Sequence, residues 1–436
     1  MTEKPQENHT LRKISGTVAM SLVIANMIGT GVFTTTGLLI EDLGNPLLVL
    51  LAWLIGGIAA LAGALTYAEL GVRMPQSGGE YLYLSKLYHP ALGFVAGWIS
   101  LIVGFAAPVA AVAVAFANYL LAVFPDLPII ATALLAVAGF SGLHLWSVKA
   151  GGFVQNIITW MKVVLIVGFI VGGIIWASPE NSKPAFNMAF DNNAIFSSVF
   201  ASSLILVMYS YSGWNAAAYV GGVIKNPSKN LPMALVGGTV IVIIIYLAMN
   251  YMFLSSVPQD VISGKVEAGH YVAGEIFGVS GAVVVSLLIS GFLLSTLSSM
   301  IMAGPRIYKA VGEDYRLFRF LAKTSRYGAP YYAVLLQFIV ASFLIISFTF
   351  ETILVYTGFT LSLFSGLTVG GIFILRRRTG KSKTYENRSY PVAPVLFIIF
   401  TLWMVIHVLI NQPLASVAGL TTIAAGWVLY RIQQKL

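Results

Sequence analysis

The sequence predicts an all-α integral membrane protein of twelve transmembrane helices. They form two inverted five-helix repeats plus two additional C-terminal helices, with helices 1 and 6 discontinuous. Three observations lead there. Of 436 residues, 58% are hydrophobic and 9% charged, against roughly 25% charged in an average soluble chain, which excludes an ordinary soluble enzyme and a disordered chain. Apolar runs of the ~20 residues that a membrane helix needs recur along the whole length. The cations are distributed with a strong asymmetry.

The first six runs fall near residues 14–39, 46–72, 91–123, 128–147, 152–177 and 194–221. The second six fall near 232–256, 278–304, 330–350, 352–375, 391–410 and 414–431. Each run is continuous rather than alternating, so a β-barrel is excluded. The first is too long, and starts too late, for a cleaved signal peptide. The expected organisation is a cytoplasmic tail at 1–13, one five-helix repeat at 14–177, a second at 194–375 and two further helices at 391–431.

Orientation follows from charge. With the N-terminus inside, all but three of the 25 Lys and Arg fall in cytoplasmic segments; the exceptions are Lys162 within a span and Lys183 and Lys265 outside. This positive-inside pattern places both termini in the cytoplasm. It also accounts for the net charge of +9 through topology and attraction to anionic membrane lipid, without nucleic acid. Tyr315 to Leu321 mixes basic and aromatic residues and reads as an interfacial helix on the inner surface. The sequons at Asn8 and Asn387 fall on the cytoplasmic side and read as accidental.

Two spans carry signals of broken helix, which lipid tolerates only where the backbone is buried in protein or lines a cavity. The first reads Asn26-Met27-Ile28-Gly29-Thr30-Gly31-Val32-Phe33, and the sixth Met208-Tyr209-Ser210-Tyr211-Ser212-Gly213-Trp214-Asn215. They open the two successive sets of five spans, the pattern of inverted repeats holding substrate at their interface. A half-helix starting at Gly31 offers free N–H groups and a positive dipole end to a carboxylate. Carbonyls around Met27, Ile28, Tyr209, Ser210 and Ser212 can accept from an ammonium. Such a site suits a zwitterion, and an α-amino acid is the natural small substrate.

Lys162 lies about ten residues into the fifth span, roughly 15 Å deep, with no Asp or Glu at comparable depth. It requires hydroxyls and carbonyls around it, or loses its proton. The eighth span supplies Ser295, Thr296, Ser298 and Ser299. The ammonium can stand where a sodium-coupled carrier binds Na⁺, or it can carry a proton through the cycle. Isolated His144 and His407 read as packing residues. No cysteine–histidine or acidic cluster signals a metal, and nothing suggests a cofactor or ATP.

Four stretches have a familiar order and spacing: Met27 to Phe33; Ala68 to Tyr81; Tyr211 to Asn215 followed by Lys225-Asn226-Pro227 and Leu231-Pro232; and Gly304 to Tyr308. In these the chain resembles the amino acid–polyamine–organocation superfamily, most closely its L-type amino acid transporter branch and bacterial relatives. The resemblance implies that Gly29-Thr30-Gly31 binds the substrate carboxylate and that the sixth-span break, with Ser210, Ser212 and Gly213, binds the amine. It makes Tyr209 a gating aromatic. It also matches Lys162 to the lysine of sodium-independent members, with Thr296 or Ser295 as its partner. Where many relatives have acidic residues before Lys-Asn-Pro, this chain has Gly221, Gly222 and Val223. It has no cysteine, so the disulfide-linked heavy chain of animal members is excluded.

The expectation is a sodium-independent exchanger of neutral or small L-amino acids in the cell membrane, and not an enzyme. Asn118, Tyr119 and Tyr356 are further candidates for its side-chain pocket. A proton-coupled symporter is the alternative reading. A carrier of cationic amino acids or polyamines is disfavoured by the lack of a membrane-buried carboxylate.

Overall fold

Short polar signals start the helices. Ser15 caps α1 (Gly16–Met27) by accepting from the N–H of Val18, and α2 (Gly31–Leu43) follows after three residues. Asn45 accepts from Leu47 and Leu48 to open α3 (Pro46–Arg73). Such caps satisfy donors that a helix start leaves free. The short α4 (Gly79–Leu87) precedes α5 (Pro90–Ile99), which His89 caps. A π-helical stretch at Ser100–Ala106 carries the chain into α6 (Ala107–Leu121). Next come α7 (Ile129–Trp146) and α8 (Gly152–Trp176), then α9 (Ser198–Tyr211), capped by Ser197.

The second half contains α10 (Ala216–Tyr219), α11 (Pro227–Pro232) and α12 (Gly238–Ser256). After α13 (Gln259–Ile262) comes α14 (Ala268–Asp314), kinked at Gly278. Four helices complete the chain: α15 (Tyr331–Ser347), α16 (Phe350–Thr379), α17 (Val392–Asn411) and α18 (Pro413–Gln433). This computed structural model describes residues 14–146, 152–176, 192–325, 328–382 and 384–436. The tail at 1–13, the sequon at Asn8, and Lys149, Lys183, Arg326 and Lys383 lie outside the described residues.

Among the described residues there is no strand, only an isolated parallel bridge between Ile14 and Ile224. Eight helical stretches are long and apolar enough to cross a membrane: 16–43, 46–73, 90–121, 227–256, 268–314, 350–379, 392–411 and 413–433. Four shorter apolar helices, at 129–145, 161–176, 198–211 and 331–347, lie among them. The outer surface is apolar: Leu135, Val164, Ile346, Ile399 and Ile410 are each more than 60% exposed. A water-soluble protein hides such side chains, whereas lipid solvates them.

The polar groups sit inside. Glu69, fully buried on α3, is held by Arg73 at 2.7 Å and by two nitrogens of Arg376 on α16, at 2.9 and 2.6 Å. It also accepts from the N–H of Asn387 at 2.9 Å, and Asn387 is itself buried. The stretch expected as an interfacial helix is a 3₁₀ helix, Arg316–Ala322, that turns Phe318 and Leu321 inward and leaves Arg319 and Phe320 exposed.

Candidate functional site

Two helix ends face each other near the centre of the bundle. α1 stops at Met27 and α2 restarts at Gly31, so Ile28 to Thr30 lie outside either helix. Phe33 donates to the carbonyl of Thr30 at 3.0 Å, and Gly29 to that of Met27 at 2.8 Å. The N–H groups of Thr30, Gly31 and Val32 have no partner among the described residues. Thr30 caps nothing with its side chain; its hydroxyl lies 3.3 Å from that of Tyr209.

Opposite, α9 ends at Tyr211 and the chain turns through Ser212 to Asn215 before α10. Gly213 takes φ +97, and a Cβ there would lie 2.8 Å from the backbone carbon of Asn26. Both facts demand glycine. Gly31 faces Ser210 so closely that a Cβ would sit 2.2 Å from its hydroxyl. Gly29 differs: a Cβ there meets nothing nearer than 3.9 Å. Of the sequence candidates, Met27, Ile28, Thr30, Gly31, Tyr209 and Ser210 are buried, while Gly29, Ser212 and Gly213 are half-buried.

The carbonyls are less free than the sequence suggested. Those of Met27 and Ser210 both accept from the hydroxyl of Tyr246 on α12. That of Tyr209 accepts from the N–H of Ser212 at 2.9 Å. Among the described residues no donor reaches the carbonyls of Ile28 or Ser212.

Lys162 is buried on α8 and donates to Thr296 on α14 at 2.6 Å. The Thr296 hydroxyl in turn donates to the carbonyl of Phe292 at 2.9 Å, so its lone pairs face the ammonium. The hydroxyl cluster is divided. Ser298 pairs with His144 at 3.0 Å, Ser299 returns to the carbonyl of Ser295, and half-buried Ser295 is not brought to the lysine.

Three further residues escaped the sequence reading. Glu80 on α4 is buried and accepts from Tyr67 at 2.7 Å, Ser365 at 2.8 Å and Asn215 at 3.1 Å, which fixes the chain just after the second break. Burial pushes its carboxyl above the ordinary range, while the three hydrogen bonds oppose the rise. Tyr246 and Asn250 lie one turn apart on α12, and Asn250 accepts from Thr36 of α2 at 2.6 Å. A tyrosine and an asparagine four residues apart in an apolar helix are the signal that could have found them.

The proposed pocket residues also have definite places. Tyr119 donates to the carbonyl of Phe33 at 2.7 Å and accepts from Gly269 at 3.1 Å, tying α2 to the start of α14. Asn118 bonds its own helix through Val114, and Tyr356 turns to Thr422 on α18. On the other side of the bundle, Lys225 donates to Ile14 and Ile14 to Val223. Gly222 donates to Ser77 at 3.3 Å and Gly78 to Tyr219 at 3.1 Å. The glycines at 221 and 222 thus allow a close backbone approach where side chains would intrude.

The amino acid permease family profile matches residues 14–430 of this chain. The chain belongs to that family. Among relatives of the permease is the serine/threonine exchanger SteT of Bacillus subtilis, 29% identical over 438 residues, spanning 98% of this chain and 97% of that one. The human b(0,+)-type amino acid transporter 1 is 25% identical over 420 residues, covering 94% of this chain and 85% of its own. The mouse large neutral amino acids transporter small subunit 2 is 26% identical over 441 residues, covering 96% and 81%. Family and relatives are transporters, not enzymes, and the permease resembles both the L-type branch and its bacterial relatives.

Proposed function

We propose that the permease is a sodium-independent exchanger of neutral or small L-amino acids that works by alternating access. The observation that carries the reading is the pairing of two interrupted helices, with the free N–H groups of Thr30, Gly31 and Val32 beside the turn at Ser212. A carboxylate is stabilised at the N-terminal end of α2 by those donors and the helix dipole. An ammonium a few bonds away is accepted by the open carbonyls of Ile28 and Ser212, with Met27, Gly29, Tyr209, Ser210 and Gly213 lining the space. Burial of these groups in a low-dielectric interior strengthens each bond.

In this reading the eight long and four shorter apolar helices make twelve spans, in two inverted repeats at 14–177 and 194–375 with two more helices at 391–431. The α1–α2 and α9–α10 pairs are the discontinuous members. Lys162, bonded to Thr296, places its ammonium where a sodium-coupled carrier would bind its ion. The asymmetry of lysines and arginines supports a cell-membrane protein with both termini in the cytoplasm. The name of the Bacillus relative, a serine/threonine exchanger, supports a small neutral substrate.

The experiment is uptake of radiolabelled L-serine and L-leucine into proteoliposomes preloaded with or without the same unlabelled amino acid, in sodium or choline buffer. Stimulation by internal substrate, equal in both buffers, is the expected result. Uptake into empty vesicles that follows an imposed pH gradient would instead make it a proton symporter.

A further inference from the structure

The 3₁₀ helix Arg316–Ala322 lies between the end of α14 and the start of α15 and divides its side chains. Phe318 is buried and stacks on Phe94 and Trp98, with ring centroids 5.6 and 6.0 Å away. Arg319 and Phe320 face outward, as does Lys323 just past the helix. With Ala322 these three line an open hollow of about 370 Å³.

Its two cations are not neutralised by the protein. Neither has a carboxylate in ion-pair contact among the described residues. The acids just before them in the chain are engaged elsewhere: Glu313 pairs with Lys309 at 3.6 Å, and Asp314 accepts from Tyr81 at 3.3 Å. Arg316 of the same segment differs, since it bonds the carbonyl of Leu436. Tyr332, the second residue of α15, closes one side of the hollow. Its ring lies 6.0 Å from the Lys323 ammonium and meets Phe320 edge-on at 6.1 Å. From Tyr332 an exposed apolar stripe of Leu335, Ile339 and Phe343 runs along α15, where spacings of three and four residues keep side chains on one face. Cations, then aromatic rings, then apolar side chains match in order the phosphate, glycerol and acyl layers of a membrane lipid.

We propose that this hollow binds the head group of an anionic phospholipid whose acyl chains lie along Leu335, Ile339 and Phe343. The Arg319 guanidinium can offer parallel N–H groups to the phosphodiester oxygens, and Lys323 adds a point charge. The Tyr332 ring holds the ammonium at the hollow. A soluble phosphate would meet the same two cations but leave the stripe uncovered; the continuity of hollow and stripe favours the lipid. Its binding fixes the link between α14 and α15 at the membrane surface and so stabilises the fold. The site is independent of the exchange reading.

The test is thermal unfolding of the purified protein in neutral detergent against rising dioleoylphosphatidylglycerol, with dioleoylphosphatidylcholine and glycerol 1-phosphate as comparisons. A saturable rise in melting temperature is expected with phosphatidylglycerol and none with the other two. Arg319→Gln combined with Lys323→Gln is expected to raise the half-saturating concentration about twenty-five-fold, about fivefold for each cation. Arg377→Gln combined with Lys381→Gln removes two exposed cations of another segment and is expected to leave that concentration unchanged. An unchanged value in the first variant overturns the site, and so does an equal shift in both, which would mean attraction spread over the basic surface. The absence of a rise, or an equal rise with phosphatidylcholine or glycerol phosphate, overturns the lipid assignment. If the first variant does not fold, native mass spectrometry of the wild-type protein decides. From an equal mixture it must retain phosphatidylglycerol over phosphatidylcholine, and equal retention contradicts the proposal.

Discussion

The ammonium of Lys162 on α8 lies 2.6 Å from the hydroxyl of Thr296 on α14, the shortest polar tie that α8 makes to another helix among the described residues. The bond is charge-assisted and buried, so each partner depends on the other. Thr296→Val should destabilise the protein by about 2 kcal/mol, because it leaves a buried cation without that acceptor. Lys162→Met should cost less in stability and nearly abolish turnover. The double variant should recover part of the Thr296→Val loss, giving a coupling of about 1–3 kcal/mol by thermal unfolding in detergent. Additive losses, or Lys162→Met vesicles that exchange at the wild-type rate, would contradict the pairing and its role.

The two glycines flanking Thr30 should respond differently. An alanine at position 31 forces a Cβ to within 2.2 Å of the Ser210 hydroxyl and 2.7 Å of its Cα, so Gly31→Ala should unfold at lower temperature and lose transport together. Position 29 has room for a Cβ. Gly29→Ala should therefore keep the wild-type melting temperature while raising the KM for exchange, if substrate approaches that backbone. A wild-type KM in a normally stable Gly29→Ala would remove Gly29 from the site.

Some helix ends were legible for a local reason, although the run expected at 278–304 is the longer helix Ala268–Asp314 and that expected at 194–221 holds the shorter Ser198–Tyr211. Gly29-Thr30-Gly31 and Ser212-Gly213 lack the side chains that favour continued helix, and the ends of α1 and α9 fall beside them. Ser15, Asn45, Ser197 and Thr349 are the residue types that cap helices, and each does so. What the sequence did not disclose depends on partners distant along the chain. Glu80 sits in a stretch that reads as a polar loop, and its three donors lie 13, 135 and 285 residues away. Tyr246 looks like any aromatic residue in an apolar helix until the ends of α1 and α9 converge on it. The choice of Thr296 over Ser295 is a matter of helix phase, 100° per residue, which residue spacing alone leaves open.

Glu80 makes a pH prediction. Its carboxyl is raised above the ordinary carboxylate range, mainly by burial, so the folded state holds that proton to higher pH than the unfolded chain. The stabilisation linked to this group is then complete below the ordinary range and is lost as pH rises through it toward the raised value. Glu80→Gln keeps an acceptor for Tyr67, Ser365 and Asn215 but does not ionise. The melting temperature of the variant relative to wild type should climb between pH 4 and pH 8. Parallel curves for the two proteins would contradict the assignment.

Glu69 should be the costliest carboxylate to strand. It is fully buried between Arg73 and Arg376, and Arg376 also stacks on Tyr390 at 3.8 Å. Breaking a buried pair costs ~3–5 kcal/mol, and with Arg73 retained the loss for Arg376→Gln should fall near the lower bound. Adding Glu69→Gln to that variant should restore stability in thermal unfolding. A further fall would contradict the dominance of the Arg376 pairing over the Arg73 and Asn387 contacts.

The central claim is that one dipolar ion bridges the N–H groups at the start of α2 and the open carbonyls that follow α1 and α9. Thermal unfolding of the purified protein tests it with three ligands of one side chain: L-serine, its methyl ester and the 2-hydroxy acid that lacks the ammonium. A ligand at a hundred times its Kd stabilises by about 2.7 kcal/mol. The account predicts a saturable rise in melting temperature with L-serine and none with either analogue at the same concentration. An equal rise with the ester or the hydroxy acid would contradict it.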